Sequence, residues 1–354
     1  MKNKKYCPEL TVMSGLAIIY VLMIHAVGSC HSSLYPDITS YADCGFLLCT
    51  LCNIVSPAVP MFIFISGFKY ALNDSATPYF VFLGKRLSRV VMSFLILNTL
   101  FWALDCMSWM ETFDPILLMK IYVSSCLGNS VAYQLWYIPM YCCVLIVCPL
   151  VCKVIRKSWI RFMLYLAIGI ANRVLTAYYP IFNEYPFRFM NYPVFFEMGI
   201  VVHEYDLASK VRLKAVPAAV YLLIIVLLSW FVPSQTDGLG IQYLLYYLVG
   251  TMVYYLLSIS LKESKILKWF GMYSYPLFLL HEPVIGRWTG KILQRMEIIS
   301  PTVYMMLWFT AVLAVTYFVI KLVKIVRLDQ FLWNYRIIIR RKDEGARHVQ
   351  KMET

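Results

Sequence analysis

His25 lies in the apolar run 16–28, where the only other ionisable side chain is Tyr20. An imidazole titrates near neutral pH, so it can take a proton from a hydroxyl and give it back. Ionisable groups inside apolar spans are costly and usually functional; the plain alternative is a histidine bonded to a neighbouring helix backbone. His281 closes a second such run, 273–280, and carries the same two readings. Lys85, Arg86 and Arg89 form a basic cluster, with Lys69 upstream. Arg86 and Arg89, three positions apart, share a helix face, and paired guanidinium forks suit phosphate groups. The competing reading of that cluster is the ordinary positive flank of a membrane helix. Arg173 and Glu197 each fall within an apolar run and are candidates for catalysis or for contact with a polar substrate, or else form a structural ion pair. In the run 59–68, Ser66-Gly67 reads first as a small-residue packing site. A serine nucleophile there would have no base near it in sequence. Trp136 opens a later run, and suits either a membrane-interface belt or a face for a sugar ring.

The elements that position these residues are set by composition. The 354 residues are 61% hydrophobic and only 14% charged, with a mean hydropathy of +0.68. A soluble domain is nearer one quarter charged, so the expected solvent is lipid. A membrane-crossing helix takes about 20 mostly apolar residues. Ten such segments are legible, at about 10–29, 45–68, 88–105, 133–152, 159–177, 191–203, 215–232, 239–258, 269–286 and 302–323. The sixth is short and bounded by Pro193, which suggests a tilted or re-entrant helix. The apolar segment 115–127 is too short to span and is expected at the interface or against the bundle.

Charge tests this map. With the N-terminus in the cytoplasm, 26 of the 32 basic residues fall in inner segments and five in outer ones, leaving Arg173 within a span. That asymmetry is the positive-inside pattern. The expected fold is therefore an all-α, polytopic membrane bundle of about ten helices, both termini cytoplasmic. A single transmembrane domain covers 1–330 and a basic tail 331–354. The basic start before an apolar run resembles a signal peptide, but no clean cleavage site follows and it reads as a retained first helix. The net charge of +13 is spread over short loop clusters, which argues against nucleic acid as a partner and for membrane lipid. The 11 cysteines show no metal-ligand spacing, so no metal is expected.

Five features occur in order: a histidine late in the first helix; Pro60-Met61-Phe62-Ile63-Phe64-Ile65-Ser66-Gly67-Phe68; Lys85-Arg86-x-x-Arg89; Leu135-Trp136-Tyr137-Ile138-Pro139; and Tyr273 to Pro283 with its Leu-Leu-His-Glu-Pro end. Together they resemble the acyltransferase family 3 of integral membrane proteins, from about residue 9 to 325. The resemblance implies a ten-helix, multi-pass enzyme of the plasma (inner) membrane. It would move an acyl group, commonly acetyl, from a cytoplasmic acyl-CoA donor to a hydroxyl of a cell-envelope glycan or lipid-linked sugar. By that likeness His25 matches the essential first-helix histidine, and Arg86 and Arg89 match the pair linked to the donor's phosphates. Ser66, Trp136 and His281 match recurrent positions. One position departs: the family usually carries Arg or Lys eleven residues before the histidine, where this chain has Ser14, with Lys5, Lys69 or Lys85 as candidates to compensate. A polytopic transporter or flippase for a polar or glycan substrate is the rival expectation, although the internal repeat common in such proteins is not seen.

Overall fold

The computed structural model describes residues 6–37, 45–109, 114–128, 133–184, 187–211, 215–228 and 241–333. No strand occurs among them. The helices are α1 (Pro8–Leu34), α2 (Phe46–Val55), α3 (Ala58–Lys69), α4 (Tyr79–Trp109), α5 (Pro115–Cys126), α6 (Tyr137–Val154) and α7 (Ser158–Tyr178). They continue with α8 (Pro193–Glu204), α9 (Val216–Leu228), α10 (Ile241–Ser260), α11 (Lys265–Leu280), α12 (Gly286–Arg295), α13 (Pro301–Ile325) and α14 (Asp329–Leu332). Seven helical segments among the described residues are long and apolar enough to cross a membrane, so the fold is an all-α membrane bundle. The expected sixth, seventh and ninth spans are the shorter α8, α9 and α11, of 12, 13 and 16 residues. Residues 229–240, the end of the seventh and start of the eighth, lie outside the described residues, as does the chain beyond Trp333.

Three departures from the expected spans have physical causes. The second span is two helices, α2 and α3, parted at Ser56-Pro57. Pro57 has no N–H to return to the Asn53 carbonyl, and lipid offers no substitute donor. Side chains supply it: the Ser56 hydroxyl donates to the Asn53 carbonyl at 3.0 Å, Tyr246 donates to the same oxygen, and Tyr254 donates to the Ile54 carbonyl at 2.8 Å. The ninth span ends at Leu280 and resumes as α12, because Glu282, which precedes Pro283, is extended (φ −131°, ψ 160°). A residue before proline is pushed out of the α region. The third helix starts at Tyr79 rather than about 88, so Lys85, Arg86 and Arg89 stand inside α4 and not at its flank. Lysine and arginine are good helix formers, and charge alone hid that first part of the helix. The short apolar segment α5 lies against α4: Asn98 donates to the Ser125 hydroxyl at 2.8 Å, and the Thr99 and Tyr122 hydroxyls are 3.0 Å apart.

α1 is buried along most of its length, touching α3, α10, α11 and α13. Such all-round burial explains why its apolar residues form no single stripe. Two reciprocal glycine crossings bring backbones together. A Cβ on Gly15 would strike the Leu267 carbonyl of α11, and one on Gly271 would strike the Thr11 carbonyl of α1. In the same way Gly67 of α3 meets the Phe196 carbonyl of α8, and Gly199 of α8 meets the Phe64 carbonyl of α3. Small residues allow this approach where lipid removes the usual hydrophobic drive for association. Gly271→Leu is expected to separate α1 from α11 and cost about 1–3 kcal/mol, the usual range for overpacking. A lowered unfolding midpoint in detergent, against an unchanged one for an exposed control such as Met272→Leu, checks this.

Candidate active site

The α1–α11 crossing sets the histidines. Gly15 precedes His25 by ten residues, and Gly271 precedes His281 by ten. At 1.5 Å per residue both imidazoles therefore sit about 15 Å along their helices from one shared contact. Their ring centres are 4.9 Å apart with planes at 65°, an edge-to-face pair.

His281 also has structural work. Its Nδ1 lies 3.0 Å from the Leu277 carbonyl and 2.9 Å from that of Phe278. Carbonyls only accept, so Nδ1 carries a proton, and in the neutral ring Nε2 holds the lone pair. The Phe278 carbonyl would have bonded the N–H of residue 282 had α11 continued. The next residue serves the next helix. The Glu282 carboxylate accepts the Arg287 backbone N–H and sits against Gly286, where a Cβ would collide with it. Gln134, in the 3-10 turn Tyr133–Trp136 before α6, donates to the Glu282 carbonyl. The His-Glu-Pro end of the motif is thus a helix break with both of its ends capped.

A cavity of about 660 Å³ opens among α1, α3, α4, α6 and α11. Four cations line it, Lys69, Lys85, Arg86 and Arg89, along with aromatic side chains that include Tyr137, Tyr141 and Phe278 and several aliphatic and serine residues. Neither His25 nor His281 lines the cavity, but Phe278 of its wall has its ring centre 6.3 Å from that of His281. The volume is ordinary for a ligand site, roughly 300–1,000 Å³. Ser14 lines the same cavity as Lys69 and Lys85, and its hydroxyl donates back to the Leu10 carbonyl at 2.9 Å. Arg86 is held by Asp74 at 2.5 Å, from a π turn (Tyr70–Asp74) that ends the α3 segment.

The remaining sequence candidates separate. Ser66 lines the cavity, but its hydroxyl donates to the Phe62 carbonyl at 3.0 Å and stands 2.8 Å from the Tyr141 hydroxyl. With its proton committed to the carbonyl, Ser66 accepts from Tyr141 and fixes that side chain. Glu197 does not pair with Arg173. It pairs with Arg161, whose Nη2 is 2.6 Å and Nε 2.9 Å away, both side chains being almost wholly buried. Sequence had placed Arg161 among the inner flanking charges; its Nη1 donates to the Ile155 carbonyl at 2.6 Å and the Arg156 carbonyl at 2.9 Å, tying down the turn between α6 and α7. Arg173 lies with its guanidinium carbon 5.9 Å from the Tyr247 ring centre. Trp136 carries Arg188 over its face at 4.4 Å. Glu197, Arg173 and Trp136 do not line the cavity. Among the described residues no group of three metal-ligand side chains gathers.

Sequence reasoning missed Tyr137, Tyr141, Asp74 and Trp333, which line or brace the cavity. The two tyrosines were hidden in a chain with 27 of them, although Tyr137 and Tyr141, four apart, were bound to share a helix face.

The bundle thus encloses a cavity with a basic part, and Phe278 of its wall stands beside the His25–His281 pair, neither of which lines the cavity itself. Residues 8–325 match the acyltransferase domain of acyltransferase family 3, and the chain belongs to that family of membrane acyltransferases. No curated protein and no solved structure matches it.

The Arg161–Glu197 pair yields a separate test. Arg161→Met leaves a buried carboxylate unpaired and is expected to cost about 3–5 kcal/mol, while Arg161→Met combined with Glu197→Leu recovers most of that loss. Unfolding midpoints of both variants in detergent check it; a single variant as stable as the parent would contradict the buried pair.

Proposed function

We propose that the protein transfers an acyl group, most simply acetyl, from a cytoplasmic acyl-CoA to a hydroxyl of a cell-envelope glycan or lipid-linked sugar, in the plasma (inner) membrane. The single observation carrying this reading is the continuity of one cavity from four cationic side chains to Phe278, beside the His25–His281 pair. Lys85, Arg86, Arg89 and Lys69 hold the donor's phosphates, with Asp74 fixing the Arg86 fork. Lys69 and Lys85 supply the charge that the family usually places at position 14, since they line the same cavity as Ser14. The acyl arm runs past Tyr141 and Tyr137 toward Phe278.

His25 is the general base. It takes the proton of the acceptor hydroxyl as the oxygen attacks the thioester carbon. The C–O bond forms, the C–S bond breaks, and the departing thiolate recovers a proton. His281, anchored through Nδ1, positions His25 by ring contact. Acyl transfer from one side of the bundle to the other spares the donor from crossing the membrane.

His25→Ala is expected to cut acceptor acylation about 10²- to 10⁴-fold, the range for a lost general base, with membrane expression intact. Full activity in that variant would sink the proposal. Arg86→Ala and Arg89→Ala are each expected to raise the donor KM about 10-fold or more, as loss of a charge-assisted hydrogen bond does. Purified protein given labelled acetyl-CoA should consume it in the presence of acceptor; a transporter of the same architecture would leave it intact.

A further inference from the structure

No residue of α13 lines the cavity, but the chain that follows it does. After Ile325 it reverses through a complete Schellman turn. The Leu328 N–H donates to the Val323 carbonyl at 3.0 Å and the Arg327 N–H to the Lys324 carbonyl at 3.1 Å. Arg327 takes φ +59° to do so, a left-handed conformation that a non-glycine residue adopts at a cost. The reversal lays α14 against α4, where the Ser93 hydroxyl donates to the Leu332 carbonyl. Trp333 follows directly; it packs in the apolar cluster with Phe94 and Leu97 and lines the same cavity as Arg86 and Arg89. It is the single tryptophan in the cavity lining among the described residues, and it is 7% exposed. Trp333, read from sequence as part of a basic tail beginning at 331, is therefore part of the cavity wall.

We infer that Trp333 is a donor-recognition residue, its indole stacking on the planar heteroaromatic base of a nucleotide whose phosphates lie on Arg86 and Arg89. The inference rests on the acyl-CoA reading above and adds to it the group that distinguishes a nucleotide-bearing donor from a simple phosphorylated one. Tryptophan offers a large flat face at low entropic cost. Basic side chains beside an aromatic platform are the general solution for binding a phosphate and a base together. The turn at Arg327 and the Ser93 contact fix the platform, which a mobile tail would not do.

The test is equilibrium binding to the purified full chain in detergent, with coenzyme A and 4′-phosphopantetheine as probes. Trp333→Ala is expected to weaken coenzyme A by about 10-fold or more, the order seen when a stacking aromatic is truncated. Binding of 4′-phosphopantetheine, which lacks the base, should change less than about 2-fold, and Trp333→Phe should restore most of the coenzyme A affinity. Equal loss of both probes would mean that Trp333 only supports the fold, and would overturn the inference. Unchanged coenzyme A affinity in Trp333→Ala, with affinity lost in Arg86→Ala, would overturn it while leaving the donor reading intact. Failure of the parent protein to bind coenzyme A would overturn both.

Discussion

The crossing of α1 and α11 at Gly15 and Gly271 is the constraint on which the rest of the site depends. Each glycine receives a backbone carbonyl of the other helix in the space a side chain would fill. No other residue permits that distance, and the distance is what lets two helices that meet at one point carry their histidines to ring contact ten residues further on. The α3–α8 crossing at Gly67 and Gly199 repeats the device next to it and holds Ser66 and Lys69 against the cavity. Packing in lipid favours such contacts because apolar side chains gain little by leaving one apolar medium for another.

A second rule shapes the bundle's irregular parts: a backbone group freed inside a membrane must find a partner within the protein. Each helix break here does so. Tyr246 and Tyr254 donate to the Asn53 and Ile54 carbonyls at the Pro57 break, while at the Pro283 break His281 donates to the Phe278 carbonyl, Gln134 donates to the Glu282 carbonyl, and the Glu282 carboxylate accepts the Arg287 N–H. His281 consequently serves two ends. Its Nδ1 is spent on the chain termination of α11, and its ring faces His25. A residue so fixed is suited to positioning its neighbour, which is why proton transfer is proposed for His25.

Much of this was legible in the sequence, because hydropathy and basic-residue asymmetry act on whole segments. Most of the helical segments follow from counting residues along apolar runs, and the two histidines stand out because each interrupts or ends such a run. What the sequence could not disclose depends on contacts between distant segments. Arg161 looked like any flanking cation until Glu197 was found 2.6 Å away. Ser66 looked like a packing residue or a nucleophile, and which it is turns on Tyr141, 75 residues later. Trp333 sat beyond the last apolar run, where composition predicts only a solvated tail; its place follows from a backbone reversal at an arginine, for which no glycine advertised the turn.

One cavity thus runs from a basic cleft to Phe278 beside the histidine pair, and its proposed occupant is a nucleotide-bearing thioester. Experimental density for the protein saturated with coenzyme A tests that claim most directly. Phosphate density is expected against Arg86 and Arg89, with the pantetheine arm continuing past Tyr141 to Phe278 and its thiol end toward His25. Density confined to another part of the bundle, or an empty cleft at saturation, would contradict it.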